Sequence, residues 1–171
     1  MTAELAAGDR IAGLLDYLPK QVREPEQPML ALATAWLLTF PISIVLAALV
    51  SLVFPGAQQP QFPVTGPTAL FLLVIFAPVL ETLIMGGVLL VLLRLFSPAT
   101  AVVLSAIGWG IGHSLGAPTW GLVIWWPFLI FSILFVTWRR RSLALAFAMP
   151  AVAHALHNLP SAILVGYTDL V

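Results

Sequence analysis

The chain has 171 residues, of which 61% are hydrophobic and only 8% are charged, and its formal net charge is zero. A composition this apolar excludes a water-soluble globular protein and predicts an integral protein of the lipid bilayer. The zero net charge gives no reason to expect nucleic acid as a partner, and the lack of cysteine excludes disulfides, thiolate metal sites and a cysteine nucleophile.

The first predicted segment, residues 1–28, holds every acidic residue of the chain except Glu81 and Asp169. Four of its apolar residues follow the i, i+3, i+4, i+7 spacing of one helix face: Ile11, Leu14, Leu15 and Leu18. This spacing predicts a short amphipathic helix that lies on the membrane surface. A solvated N-terminal extension is the alternative interpretation. The segment is too polar for a signal peptide.

Residues 29–171 are predicted to form a single transmembrane domain. Five apolar runs are each long enough to cross a hydrocarbon core of about 30 Å as a helix. These runs are residues 29–54, 67–94, 98–116, 119–138 and 142–166. In the last run, Pro150 either kinks the helix or starts a new one. The sequence therefore predicts an all-α polytopic membrane protein with about five to six transmembrane helices.

The basic residues predict the orientation of these helices. They fall on every second connection: Arg10, Lys20 and Arg23, then Arg94, then Arg139, Arg140 and Arg141. The loops at 55–66 and 116–119 carry none. By the positive-inside rule, the N-terminus is predicted to be cytoplasmic and these two loops to lie outside the cell membrane.

Five ionisable or strongly polar residues remain inside the predicted spans: Glu81, His113, His154, His157 and Asn158. Counted inward from the cytoplasmic ends of their spans, the first three lie at a similar depth of roughly 20 to 22 Å. Asn158 follows His154 by four residues and therefore shares its helix face. The predicted common level lies past the midplane, toward the outer face.

A carboxylate at this depth costs about 2.5 to 3.5 kcal/mol on insertion scales, so a functional site is the favoured explanation. Apart from Arg94 at the very end of the second run, no lysine or arginine lies in a span, so only a histidine can be the charged partner of Glu81. For His157 alone, a structural hydrogen bond between helices is the simpler explanation. Glu81, His113, His154 and Asn158 together supply what hydrolysis by an activated water requires, namely a base, an orienting group and oxyanion donors.

Three short motifs also carry a family resemblance: APVLE at 77–81, WGIGH at 109–113 and HALHN at 154–158. In order and spacing they resemble the motifs of the CAAX-protease and bacteriocin-processing family (CPBP, also called ABI) of intramembrane glutamic proteases. The resemblance implies that Glu81 is the general base and that His113 helps it to activate water. It also implies that His154 and Asn158 stabilise the oxyanion.

The first motif departs from the family pattern, since Thr82 and Gly86 stand where the family usually has a second glutamate and an arginine. Because both members of the pair are replaced, we interpret the change as the coherent loss of a structural ion pair, leaving small residues that let helices pack closely. The single-glutamate motif resembles the branch of the family associated with C-terminal sorting signals of exported proteins.

Two alternatives to a metal-free protease remain open at this point. Zinc held by Glu81, His113 and His154 is an alternative to the expectation that no cofactor is used. A proton-coupled transporter, or an immunity-type or chaperone-type membrane protein, would also keep Glu and His in the bilayer. The favoured hypothesis is an endopeptidase that cleaves a membrane-anchored protein or peptide near its membrane-embedded C-terminal part.

Overall fold

A computed structural model of the chain describes residues 16–167. Its helices are α1 Lys20–Arg23, α2 Pro28–Val53, α3 Gly66–Leu95, α4 Pro98–Ser114, α5 Gly121–Arg139 and α6 Leu143–Tyr167. The described part of the chain contains no strand. The predicted all-α class is therefore confirmed, and each of the five predicted runs corresponds to one of the helices α2 to α6.

Proline and serine residues mark where two of these helices begin. Pro28 and Pro98 occupy the first helical positions of α2 and α4, where a missing N–H removes no helical hydrogen bond. The Ser97 hydroxyl caps α4 by accepting a hydrogen bond from the Thr100 backbone N–H at 3.2 Å. In α6, by contrast, Pro150 lies inside one continuous helix, so no sixth helix begins there.

Within the described residues, four helices are long and apolar enough to cross a membrane: α2, α3, α5 and α6. The remaining long helix, α4, has 17 residues and is the shortest of the five. Large apolar side chains such as Leu37, Leu49, Leu83 and Val91 are exposed on the outer faces of α2 and α3. Exposed apolar surface of this extent is typical of helices that face lipid.

Helix α5 lies at the centre of the bundle. Every residue from Pro127 to Trp138 is buried, and the helix packs against α2, α4 and α6. In lipid an apolar helix can face either acyl chains or other helices, so packing against its neighbours, and not its composition, gives α5 the central position. At its middle, the Ser132 hydroxyl donates a hydrogen bond to the Ser105 hydroxyl of α4 at 3.0 Å.

Two tryptophan side chains attach α2 to the rest of the bundle. The indole N–H of Trp36 donates to the Leu156 carbonyl of α6 at 3.1 Å. The indole N–H of Trp126 on α5 donates to the Leu38 carbonyl at 2.6 Å. Bonds of this kind between helices contribute to association in lipid, where the hydrophobic effect between helices is weak.

The predicted amphipathic segment at 1–28 is described only from residue 16 onward, so Ile11, Leu14 and Leu15 lie outside the described residues. Within residues 16–27, the only α-helix is the four-residue helix α1. Val22 of α1 is fully buried, and its carbonyl accepts a hydrogen bond from the Thr137 hydroxyl of α5 at 3.0 Å. The end of this segment therefore docks onto the bundle through a buried side chain.

Helix α3 departs from regular α-helical geometry in its first half. Phe71–Phe76 is wound as a π-helix, and the N–H of Ala77 donates to the Leu72 carbonyl, five residues earlier. Pro78 follows directly. Such single π turns inside α-helices occur frequently near functional sites.

Candidate active site

Glu81 lies on the wall of a cavity of about 340 Å³ that is lined by residues of α2, α3, α4, α5 and α6 and of the loop between α2 and α3. Its side chain remains 25% exposed, while the lining around it is largely apolar. The same cavity is lined by His113, His154 and Asn158. The structure thus brings the sequence-predicted site residues together around one space.

His154 is the histidine whose ring forms a close contact with the Glu81 carboxylate. Its Nε2 atom lies 4.0 Å from Oε2 of Glu81, and its side chain is buried. The ring stacks on Phe131 at 4.9 Å and meets the edge of Phe128 at 5.3 Å. These aromatic contacts fix the ring plane. A separation of 4.0 Å is too long for a direct hydrogen bond but lets both groups contact one water that lies to the side of the line joining them.

His113 is oriented from within its own helix. Its Nδ1 lies 2.9 Å from the Trp109 carbonyl, and because a carbonyl can only accept, Nδ1 carries the proton. The lone pair of the neutral ring is then on Nε2. The ring of Trp120 packs against the imidazole in an edge contact at 4.8 Å.

A close crossing of α4 and α5 sets the position of His113. A Cβ atom at Gly121 would overlap the Gly110 carbonyl oxygen and the Ser114 hydroxyl, so only glycine permits this approach. Gly110 lies one turn before His113 on α4. The backbones therefore meet at van der Waals distance immediately beside the site.

Asn158 lies one helical turn after His154 on α6. Its Nδ2 donates a hydrogen bond to the Leu73 carbonyl of α3 at 2.9 Å. The amide is therefore already hydrogen-bonded to the helix that carries Glu81, a contact that no sequence pattern indicated.

His157 also lines the cavity, although its sequence position favoured a simple structural hydrogen bond. Its ring packs edge-on against Phe40 at 6.1 Å and Phe131 at 5.9 Å. Its buried Nδ1 has no hydrogen-bond partner among the described residues. The interhelical hydrogen bond expected for His157 is therefore not made through Nδ1 within the described part of the chain.

The aromatic wall of the site could not be identified from the sequence. Phe128 and Phe131 contact the imidazoles, but as members of a uniformly apolar helix they carry no distinguishing sequence signal. Phe62 of the loop between α2 and α3 lines the same cavity and meets the edge of Trp120 at 5.9 Å. This contact joins the proline-rich loop to the residue that packs on His113.

The two departures from the family pattern lie in tightly packed surroundings. Thr82 is 2% exposed and Gly86 is buried. A Cβ atom at Gly86 would overlap the ring of Phe147 and come within 2.7 Å of the Phe135 ring. These two rings form an edge contact at 5.1 Å, so aromatic side chains occupy the space beside Gly86.

Among residues 16–167, no group of three or more His, Asp or Glu side chains is arranged to hold a metal ion. Glu81 and His154 approach each other, but the described geometry does not join a third such side chain to them as a ligand set. The site has the composition of an acid–base and hydrogen-bonding centre.

Comparison with known protein families identifies the family to which the chain is similar. The family model described as Rce1-like, type II CAAX prenyl endopeptidase, matches residues 63–160, which is more than half of the chain and contains the whole candidate site. No curated protein and no solved structure matches the chain. The resemblance to CAAX proteases stated from the three motifs is confirmed.

Proposed function

Since the chain belongs to the Rce1-like family of type II CAAX prenyl endopeptidases, we propose that it hydrolyses a peptide bond of a membrane-anchored protein within the bilayer. The family is one of peptide hydrolases, and the apolar helices make this member a multi-pass membrane protein. The observation that carries the proposal is the 4.0 Å approach of His154 Nε2 to Glu81 Oε2 on the wall of a cavity.

In the proposed reaction, Glu81 acts as the general base. Its carboxylate accepts a proton from a water molecule while the water oxygen forms a bond to the carbonyl carbon of the substrate. The lone pair on His113 Nε2 orients that water. When the tetrahedral intermediate collapses and the C–N bond breaks, protonated Glu81 delivers the proton to the departing amine nitrogen. One water is consumed, and a carboxylic acid and an amine are formed.

The negative charge that develops on the carbonyl oxygen needs hydrogen-bond donors. We assign this role to the His154 ring N–H and to an N–H of the Asn158 amide, one turn apart on α6. The amide has two N–H hydrogens, and only one is needed for its bond to Leu73. The proposed mechanism uses no metal and no other cofactor.

The substrate is proposed to be the C-terminal, membrane-embedded part of an exported protein. Two features support this choice over a prenylated cytoplasmic peptide. Thr82 and Gly86 replace the glutamate and arginine of the usual family pattern. The basic residues predict that the site lies nearer the outer face of the cell membrane.

The test is direct cleavage by purified protein. Wild-type protein and Glu81→Gln are reconstituted in liposomes with two peptide sets, one of C-terminal sorting segments and one of prenylated CAAX peptides, and products are identified by mass spectrometry. We expect wild type to cleave members of the first set and Glu81→Gln to cleave them at least about a hundredfold more slowly. Equal processing by both proteins would exclude Glu81 as the base.

The same liposomes distinguish the transporter alternative. If wild type cleaves no peptide but dissipates an imposed proton gradient, and Glu81→Gln does not, the protease proposal is wrong and proton transfer is the function of the Glu–His pair. If only the CAAX peptides are cleaved, the protease proposal holds and the substrate assignment is wrong.

A further inference from the structure

The Leu73 carbonyl lacks a backbone partner within α3 for a reason that lies in the sequence. In the α-helical pattern its donor would be the N–H of Ala77, but that N–H donates to Leu72 instead. In the π pattern its donor would be residue 78, and Pro78 has no N–H. Both intrahelical donors are therefore removed at once.

Asn158 supplies the missing donor from the neighbouring helix. Its Nδ2 lies 2.9 Å from the Leu73 carbonyl oxygen, a normal length for an N–H···O bond. A partly buried carbonyl without a partner would be unfavourable in an apolar environment, so the bond fixes where the π turn of α3 lies against α6.

The same two helices carry the candidate catalytic pair. Along α3 the cavity is lined at every fourth residue by Leu73, Ala77 and Glu81. Along α6, Asn158 faces Leu73, and His154, one turn away, faces Glu81. The amide-to-carbonyl bond and the Glu81–His154 approach are thus two contacts between the same antiparallel helices, separated by one turn of α6 and about two turns of α3.

We propose that Asn158 is a positioning residue: its amide replaces the hydrogen bond that Pro78 removes from Leu73, and it thereby holds Glu81 against His154 in the cavity. The positioning role matters for catalysis only if the proposed protease function is correct, and in that respect it rests on the proposed function. It is distinct from oxyanion stabilisation, because it acts through α3 and exists in the protein without substrate.

The test reads the position of Glu81 without using activity. Glu81 is the only acidic residue between positions 27 and 168, so its modification is readily mapped by mass spectrometry. Purified protein in detergent is treated with a lipid-soluble or a water-soluble carbodiimide. We expect Asn158→Ala to change the ratio of Glu81 labelling by the two reagents about tenfold. The reason is that an unpaired Leu73 carbonyl shifts the equilibrium between the two positions of α3, and hence of Glu81, by about this factor.

A matched control removes a comparable bond to the same helix. Trp36→Phe abolishes the indole hydrogen bond to the Leu156 carbonyl of α6 but leaves α3 untouched. We expect its Glu81 labelling to equal that of wild type. Equal labelling of Glu81 in Asn158→Ala and wild type would overturn the proposal, because Glu81 would then hold its position without the amide.

A second variant tests the role of the proline. In Pro78→Ala/Asn158→Ala, residue 78 regains an N–H that can reach the Leu73 carbonyl in the π pattern, and we expect the labelling ratio to return to the wild-type value. Labelling like that of Asn158→Ala in a folded double variant would overturn the link to Pro78. Should the double variant not fold, the comparison of Asn158→Ala with wild type decides alone.

Activity then separates the two roles of the amide. A 1 Å displacement of the base lowers kcat by about a hundredfold, and the double variant recovers this part of the loss. Loss of an oxyanion donor is not recovered by a backbone N–H in α3. If wild type cleaves no peptide, the proposed function fails while the labelling result stands.

Discussion

Along α3, two neighbouring stretches differ in how closely they are packed. From Leu73 to Glu81 the helix borders a cavity, and the Glu81 side chain keeps 25% of its surface exposed. From Thr82 to Leu89 the inward face is filled, and even a Cβ atom at Gly86 would overlap an aromatic ring. An intramembrane site needs open volume for water and substrate. The next turns of α3 are densely packed, which keeps the helix, and therefore the cavity, in a fixed position.

The difference predicts that substitutions in the two stretches act on different properties. We expect Glu81→Gln to lower kcat by about 10²- to 10⁴-fold, because a general base is lost while the side-chain volume is kept. Its thermal unfolding in detergent should remain close to that of wild type. Glu26→Gln, at an exposed position outside the spans, is the control and should leave both properties unchanged.

The dependence of the rate on pH is the next largest expected effect. As the proposed base, Glu81 must be ionised, so its protonation lowers the rate toward low pH. We propose that His154 donates to the oxyanion as the imidazolium, so its deprotonation lowers the rate toward high pH. We therefore expect kcat/KM to follow a bell-shaped profile that falls about tenfold per pH unit on each side. The profile is measured with a substrate for which chemistry limits the rate. A flat profile over about pH 5 to 9 would contradict acid–base catalysis by this pair.

The packed stretch is tested by adding volume. We expect Gly86→Leu to lower the free energy of unfolding by about 1–3 kcal/mol, since the rings of Phe135 and Phe147 must move to admit the side chain. The adjacent Gly87 has open space around it, so Gly87→Ala is the matched control and should be neutral or stabilising by up to about 1 kcal/mol. Denaturant titration in detergent measures both.

A compensating substitution sharpens this result. If the clash with Phe147 causes the loss, Gly86→Leu/Phe147→Ala should be more stable than the sum of the two single changes predicts. Strict additivity would show that the ring beside Gly86 is not what limits the volume of that stretch.

The smallest expected effect is that of chelators. The proposed chemistry uses side chains alone, so we expect EDTA or phenanthroline to leave kcat unchanged and metal analysis to give much less than one ion per chain. Loss of activity with chelator and recovery with added zinc would instead establish the zinc alternative, with Glu81, His113 and His154 as candidate ligands.

Much of the fold followed from local sequence patterns. The apolar runs, Ser97–Pro98 and the arginines at 139–141 located α2 to α6 to within a few residues, because a helix in lipid must satisfy its own backbone hydrogen bonds. The possible sixth helix at Pro150 was not found, since a proline inside a helix does not always end it. The cytoplasmic location of the N-terminus stays a prediction.

The candidate site was predictable to the extent that polar residues are rare in the spans. Glu81, His113, His154 and Asn158 stood out because little else in the apolar runs is polar, and equal depth along separate helices was enough to expect that they meet. The position of His157 on the cavity and the aromatic wall of Phe128 and Phe131 followed from no pattern, since they depend on helix rotation.

By itself, the sequence determined the apolar surroundings of the chain, its helices and the position of each polar group along its helix, because hydropathy and helical rise act along one chain. The tertiary structure alone decided which faces of α3 and α6 meet, and hence that Asn158 bonds to Leu73 and that Gly86 packs under aromatic rings. The physical reason is that helix rotation and crossing are set by side-chain volumes and unpaired backbone groups on several helices at once.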